Sequence, residues 1–157
     1  MSSFSYLYSS SAVEASKLSP VTINNRKLYW SNGILVNNIP YMVIMSISCA
    51  SDTFCVAVSS DGYIYTYRNH KWLERHQLDP NKIVWLTSIS CPTTDFCMTV
   101  GSGGYFFVYQ NENWSQPTQL TQDSQQELDA VSCTSEHFCE AVSYDGYAFS
   151  YILPLQS

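Results

Sequence analysis

The six cysteines are the residues of this chain whose chemistry is the most informative. They fall into three pairs, and the two members of each pair are six positions apart. Thiols at a fixed spacing either form disulfides or bind zinc as thiolates. A separation of six matches no zinc-knuckle spacing, and no histidine recurs in register with the cysteines, so we predict disulfides, no metal site and an oxidising compartment. The predicted bonds are Cys49–Cys55, Cys91–Cys97 and Cys133–Cys139.

Two segments combine an aromatic side chain with hydrogen-bonding groups. Tyr41 lies in "NNIPYMV" (37–43) and Trp85 in "DPNKIVW" (79–85), whereas "TQDSQQE" (121–127) has no aromatic residue. An aromatic face beside amides and carboxylates is the composition of a carbohydrate site. The alternative is that the two aromatic residues cap the core. The hydrogen-bonding candidates are Asn37, Asn38, Asp79 and Asn81.

A repeat determines how these residues are positioned. Cys49, Cys91 and Cys133 are 42 positions apart, and the second cysteine of each pair keeps the same step. A Phe, a Val, a Gly, two Tyr residues and a Trp recur with the same period, without insertion or deletion from Trp30 to Tyr151. We interpret the recurring aromatic and aliphatic residues as core between repeats rather than as ligand platforms.

Each repeat has the composition of short β-strands. "CVAVSS" and "YIYTY" alternate their side chains around Asp61-Gly62, a dipeptide that favours a tight turn. We predict strands near 46–49, 54–59, 63–68 and 72–78, called A to D. Four short strands in roughly 40–45 residues are typical of a β-propeller blade. If strands A and B form a hairpin, the two cysteines that flank "ASDTF" face each other across it.

The repeat also resembles known sequences. The pattern S-C-x-x-x-x-F-C-x-x-V-x-x-x-G-Y, followed by an aromatic strand and a Trp, is clearest in "SISCPTTDFCMTVGSGGYFFVYQNENWSQPTQL". It resembles short repeats of secreted or surface bacterial proteins predicted to be β-propellers. The resemblance covers roughly residues 28–151 and implies fold and compartment, but no shared activity. The N-terminal part departs from the pattern, because Leu7 and Val13 stand at the cysteine positions.

The strand count predicts how the blades assemble. We expect a loosely ordered arm over 1–20 and an all-β, three-blade half-propeller over 21–157. Its units are 46–87, 88–129 and 130–153, with a further D strand at 28–36. Propellers usually need four to eight blades to close. We therefore predict a homodimeric six-bladed ring in which each N-terminal D strand completes the last blade of the partner; a fragment of a longer propeller is the alternative.

Composition excludes several functions. The net charge is −6 with only 7 Lys and Arg residues, so no basic surface is available for nucleic acid or anionic lipid. No apolar run is long enough to span a membrane. The start "MSSFSYLYSS" lacks the features of a secretion signal, so export would require a leader already removed or another route.

These observations leave three classes of function. The first choice is a secreted or cell-surface, lectin-like module that binds glycans multivalently through its loops. The alternative is a protein-interaction or structural surface module. No metalloprotease, nucleophile-elbow, dinucleotide or P-loop pattern is present, so we expect neither an enzyme nor a cofactor.

Overall fold

The structure is a computed structural model, which describes residues 21–28, 33–36, 39–81, 84–120 and 125–154. The chain divides into two compact units, Met1–Leu35 and Val36–Ser157. Several sequence predictions lie outside the described residues: the arm at 1–20, Asn37, Asn38 and residues 29–32 of the predicted N-terminal D strand.

The described part of the first unit is a β-hairpin. Strand β1 (Val21–Ile23) pairs with β2 (Arg26–Leu28) in antiparallel register. Asn24 and Asn25 join the strands and both have a positive φ, which asparagine tolerates and a tight two-residue hairpin turn requires. Residues 33–36 carry no strand.

The described part of the second unit consists of three antiparallel sheets, which we call blades 1 to 3 in chain order. In each blade strands A, B and C follow one another as a meander. Blade 1 contains β3 (Ile44–Ser51), β4 (Phe54–Ser59), β5 (Tyr63–Arg68), β6 (Lys71–Trp72) and β7 (His76–Gln77). Blade 2 contains β8 (Leu86–Thr93), β9 (Phe96–Gly101), β10 (Tyr105–Gln110), β11 (Asn113–Trp114) and β12 (Thr118–Gln119), with a 3₁₀ turn at Ser102–Gly104. Blade 3 contains β13 (Leu128–Ser135), β14 (Phe138–Ser143) and β15 (Ala148–Ile152).

Strand A is longer than the sequence indicates. It begins two residues before each predicted repeat unit, and its first residue pairs with the last residue of strand B. The register then shifts by one residue at a β-bulge, which breaks the alternation of side chains that marks a strand in the sequence. The first pairs are Ile44 with Ser59, Leu86 with Gly101 and Leu128 with Ser143.

Strand D is split in blades 1 and 2. In blade 1, β6 and β7 both pair with β5, and in blade 2, β11 and β12 both pair with β10. Pro117 lies in the gap of blade 2 and has no N–H to donate to a ladder. The single strand predicted at 72–78 is therefore two short ones. In blade 3 the described residues include no fourth strand.

The three predicted disulfides are confirmed. Each joins strand A to strand B of its own blade, and the Cα atoms of the bonded residues are 3.9–4.1 Å apart. In blades 1 and 3 the bonded cysteines are direct partners in the register of strands A and B. The bonds indicate an oxidising environment.

The blades pack against each other through their faces. Phe54, Val56 and Val58 of blade 1 form one buried cluster with Phe107 and other residues of blade 2. The corresponding residues of blade 2 form a second cluster with blade 3, and these residues are Phe96, Met98 and Val100. The recurring Phe and Val of blades 1 and 2 are therefore core residues, as predicted. Sheets of four strand positions stacked in this way are propeller blades.

A repeated serine bond aligns neighbouring blades. The Ser48 hydroxyl accepts a hydrogen bond from the backbone N–H of Cys91 at 2.9 Å. One repeat later, the Ser90 hydroxyl accepts the same bond from Cys133, also at 2.9 Å. The residue before each of the first two disulfides therefore accepts a bond from the first disulfide residue of the next blade, which explains the "SC" of blades 1 and 2.

The disulfides should differ in their contribution to stability. Closing so small a loop contributes about 2 kcal/mol in each blade. Cys91 and Cys97 are also buried in the first cluster, whereas Cys49 is exposed. We expect Cys91→Ala/Cys97→Ala to lower the free energy of unfolding in urea by about 1 kcal/mol more than Cys49→Ala/Cys55→Ala. Equal losses would contradict this packing.

Candidate binding surface at the loop end

The loops before strand A and the turns between strands B and C lie at the same end of each blade. This follows from the pairing of the first residue of A with the last residue of B. We call this surface the loop end. Its described residues are 39–43, 60–62, 79–81, 84–85, 102–104, 125–127 and 144–147.

Trp85 has a fixed backbone and an exposed side chain. Its N–H donates to the Ser102 hydroxyl, and the Ser102 N–H donates to the Trp85 carbonyl, both at 2.9 Å. Gly101 lies so close beneath that a Cβ there would collide with the Trp85 carbonyl. The side chain nevertheless remains 65% exposed. Trp85 therefore does not cap the core of the chain.

Tyr41 is also at the surface. Its side chain is 99% exposed, and its φ of 67° lies in the left-handed region that residues other than glycine rarely adopt. Within the same loop, the Met42 N–H donates to the Ile39 carbonyl at 3.4 Å. The core-capping alternative does not fit Tyr41 either.

Asp79 stabilises its loop instead of facing solvent. It is 1% exposed, and its two carboxylate oxygens accept hydrogen bonds from the N–H groups of Asn81 (2.9 Å) and Val84 (3.0 Å). The Asp79 carboxylate, predicted as a ligand group, is therefore used within the protein. Asn81 is exposed, so its amide remains available to a ligand.

In blade 3 a polar cluster takes the place of an aromatic loop. The Gln126 amide donates to the Asp145 carboxylate at 2.6 Å, and the Ser143 hydroxyl donates to the same oxygen. The bond from Ser143 is the largest cause that lowers the pKa of Asp145 below its usual value, and the bond from Gln126 adds to it. Asp145 is therefore a carboxylate at neutral pH. It borders a shallow pocket with Glu127 and Tyr144.

Tyr144 is a surface aromatic residue that the sequence analysis missed. It is 84% exposed and occupies the repeat position of Ser60 and Ser102. The signal was present in the turn between strands B and C, where one large aromatic residue replaces two serines at equivalent positions. Tyr144 adds a further exposed ring to the loop end, next to Tyr147, which is 59% exposed.

The loop end thus combines exposed aromatic rings with carboxylates, a composition suited to binding. No group of three His, Cys, Asp or Glu side chains that could hold a metal ion occurs among the described residues. Within the same residues, no helix has the length and apolar character needed to cross a membrane.

Solved structures show what the fold is similar to. No family model matches the chain, and no curated protein matches it. The structure titled "YCF48 bound to D1 peptide" matches with a TM-score of 0.60 at 14% identity, over 68% of this chain and 36% of that one. The WD40 β-propeller domain of Doa1 matches with a TM-score of 0.54 at 15% identity, over 69% and 37%.

The fold is a β-propeller. This chain spans about a third of the length of each of the two matched chains. At these identities the likeness concerns the backbone and its blades.

Loss of the Asp79 carboxylate should loosen the loop that leads to Trp85. We expect Asp79→Ala to lower the free energy of unfolding by about 1–3 kcal/mol, because two loop N–H groups would lose their acceptor. Asn81→Ala is the matched control, since the Asn81 side chain is exposed. Urea unfolding of both variants tests this. If the two variants were equally stable, Asp79 would have no structural role.

Proposed function

We propose that the protein is a non-catalytic, secreted or surface-displayed β-propeller module that binds a protein partner at its loop end. We further propose that it acts as a homodimer. The observation that carries the first proposal is Trp85, whose ring is exposed although its backbone is held on both sides by Ser102.

An exposed tryptophan on a fixed backbone is a strong binding anchor. Tryptophan and tyrosine dominate the residues that carry binding energy in protein interfaces. A backbone that is already ordered loses less conformational entropy when the partner docks. Trp85 is such an anchor, and Tyr41 and Tyr144 supply further exposed rings at the same end of the blades.

The charge of the loop end indicates what the partner presents. Glu127, Asp129 and Asp145 are exposed near the start of blade 3. The hydrogen bond from Ser143, with that from Gln126, lowers the pKa of Asp145. A partner segment with an apolar or aromatic residue followed by Lys or Arg would match both the rings and the carboxylates. Because exposed charges are screened by salt, its association should slow as the ionic strength rises.

A similar propeller supports a peptide as partner. The first matched structure is described as bound to a peptide, and it has the same kind of blades. Peptide binding is a proposal for the present chain, and the chemistry of the loop end supports it independently of this similarity.

Glycan binding is the second candidate function. The exposure of Tyr41 and Trp85 provides the flat faces on which sugar rings stack, and Asn81 provides an amide. In a dimeric ring, two copies of such weak sites would bind a dense glycan surface through avidity. The buried carboxylate of Asp79 removes one hydrogen-bonding group from this hypothesis.

Selection from a random peptide library, with a glycan array in parallel, tests the choice between the two. We expect peptides that combine an aromatic or apolar residue with Lys or Arg. Trp85→Ala should weaken their binding by about 30-fold, the equivalent of a hot-spot loss of about 2 kcal/mol.

Leu73→Ala is the matched control for this experiment. Leu73 is an exposed apolar residue that follows β6, away from the loop end, so its loss should leave peptide binding unchanged. Peptides that bind Trp85→Ala as tightly as the wild type would refute the loop-end site. Glycan binding that depends on Trp85, without any peptide selected, would favour the second candidate.

A further inference from the structure

Blade 3 has an open position on the outer side of strand β15. In blades 1 and 2 strand C is flanked by strand D, but the described residues place no strand beside Ala148–Ile152. Next to this position, an apolar groove of about 270 Å³ lies between blades 2 and 3. Its lining includes Phe106 and Leu120 of blade 2 and residues of the second buried cluster, which are Met98, Val100, Leu128, Cys139 and Ala141. The groove extends to β15, where residues from both faces of the strand line it: Phe149, Ser150, Tyr151 and Ile152.

The occupied positions show what this groove accepts. The rings of Trp72 and Tyr67 pack with centroids 5.4 Å apart, and those of Trp114 and Tyr109 with centroids 5.3 Å apart. Tyr151 is the equivalent tyrosine of blade 3, and no tryptophan among the described residues packs on it. The first requirement is therefore a tryptophan.

The second requirement is a large aliphatic residue six positions after the tryptophan. The N–H of Leu78 donates to the Gly62 carbonyl at 3.0 Å, and that of Leu120 donates to the Gly104 carbonyl at 2.8 Å. Leu78 is buried in the core between blades 1 and 2. In blade 3 the corresponding acceptor is the Gly146 carbonyl.

The chain contains one further segment with this spacing. In "YWSNGILV" (29–36) Trp30 precedes Val36 by six positions, and both lie 42 positions before Trp72 and Leu78. Ile34 and Leu35 occupy the register of the paired β7 residues His76 and Gln77, yet they are 65% and 77% exposed. Two adjacent apolar side chains with this exposure favour a strand that becomes covered when the protein assembles.

The segment precedes blade 1, so it belongs to the blade that would stand before blade 1 in a ring. Three blades are too few to close a propeller, and a second copy of this chain can supply that preceding blade. Two copies give six blades with two-fold symmetry, the commonest form of oligomer.

We propose that residues 29–36 of a second copy of this chain add to β15 as the fourth strand of blade 3, and that the exchange is reciprocal. Backbone pairing would supply affinity and the Trp30 ring on Tyr151 would supply specificity, as in other strand additions. The proposal rests on the homodimer proposed above and is independent of loop-end binding.

The register of blades 1 and 2 predicts a crosslink. Ile64 pairs with His76, and Phe106 pairs with Thr118. Ile34 stands one repeat before His76, and Ala148 stands one repeat after Phe106. Ile34 of one copy should therefore lie opposite Ala148 of the other. The double variant Ile34→Cys/Ala148→Cys should therefore form a disulfide between copies. Ile34→Cys/Ser150→Cys, shifted by two residues along β15, is the matched control and should form at least tenfold less.

Mixing ¹⁵N-labelled and unlabelled double variant before oxidation shows where the bond forms. Crosslinked peptides that contain one labelled and one unlabelled half confirm exchange between copies. A complete absence of such mixed peptides, when the two forms are mixed as unfolded chains and refolded together, would place the segment on its own chain and overturn the proposal. Equal crosslinking in the shifted control would overturn the register and with it the proposal.

Sedimentation of the wild-type protein at micromolar concentration separates the remaining outcomes. We expect twice the chain mass of 17.8 kDa, and at least tenfold weaker association for Trp30→Ala. Trp85→Ala should dimerise like the wild type, because Trp85 lies at the loop end. A wild-type monomer would overturn the homodimer together with the exchange. A dimer without the crosslink would overturn the exchange alone, and neither result would change the loop-end measurements.

Discussion

The structure depends on one constraint: the sheet of a blade has two faces, and each must be covered by another layer. Phe54, Val56 and Val58 of blade 1 pack against blade 2. The equivalent residues of blade 2 pack against blade 3. The serine bonds to Cys91 and Cys133 hold the inner strands in register across these two interfaces. The disulfides link strands A and B within each blade, so the interfaces between blades depend on packing and hydrogen bonds.

The features that recur in every blade because of this packing were predictable from the sequence. A side chain that must fill the same space in every blade recurs every 42 residues, and strands B and C were placed correctly for this reason. The start of strand A was missed because a bulge breaks its alternation, and the split of strand D was missed because two-residue strands leave no periodic pattern.

The candidate site was only partly predictable, since a binding surface is not constrained by packing. Trp85 and Tyr41 were identified as aromatic residues that depart from the repeat, and the structure shows both exposed. Asp79 could not be distinguished by sequence from a ligand group, because its two bonds to loop N–H groups depend on the path of the loop. Tyr144 was recognisable in the turn between strands B and C, where it replaces the serine of the other two repeats, but that turn was interpreted only through its Asp and Gly residues.

The most direct test of the account is native-state hydrogen exchange at the backbone amides that connect the blades. If the blades stack as described, the N–H groups of Cys91 and Cys133 exchange only when the whole domain unfolds, because each is bonded to a serine of the preceding blade. Their protection should fall to a similar degree in Ser48→Ala and Ser90→Ala, respectively. Exchange of both amides in the wild type at the rate of an exposed loop would contradict the stacking of the blades.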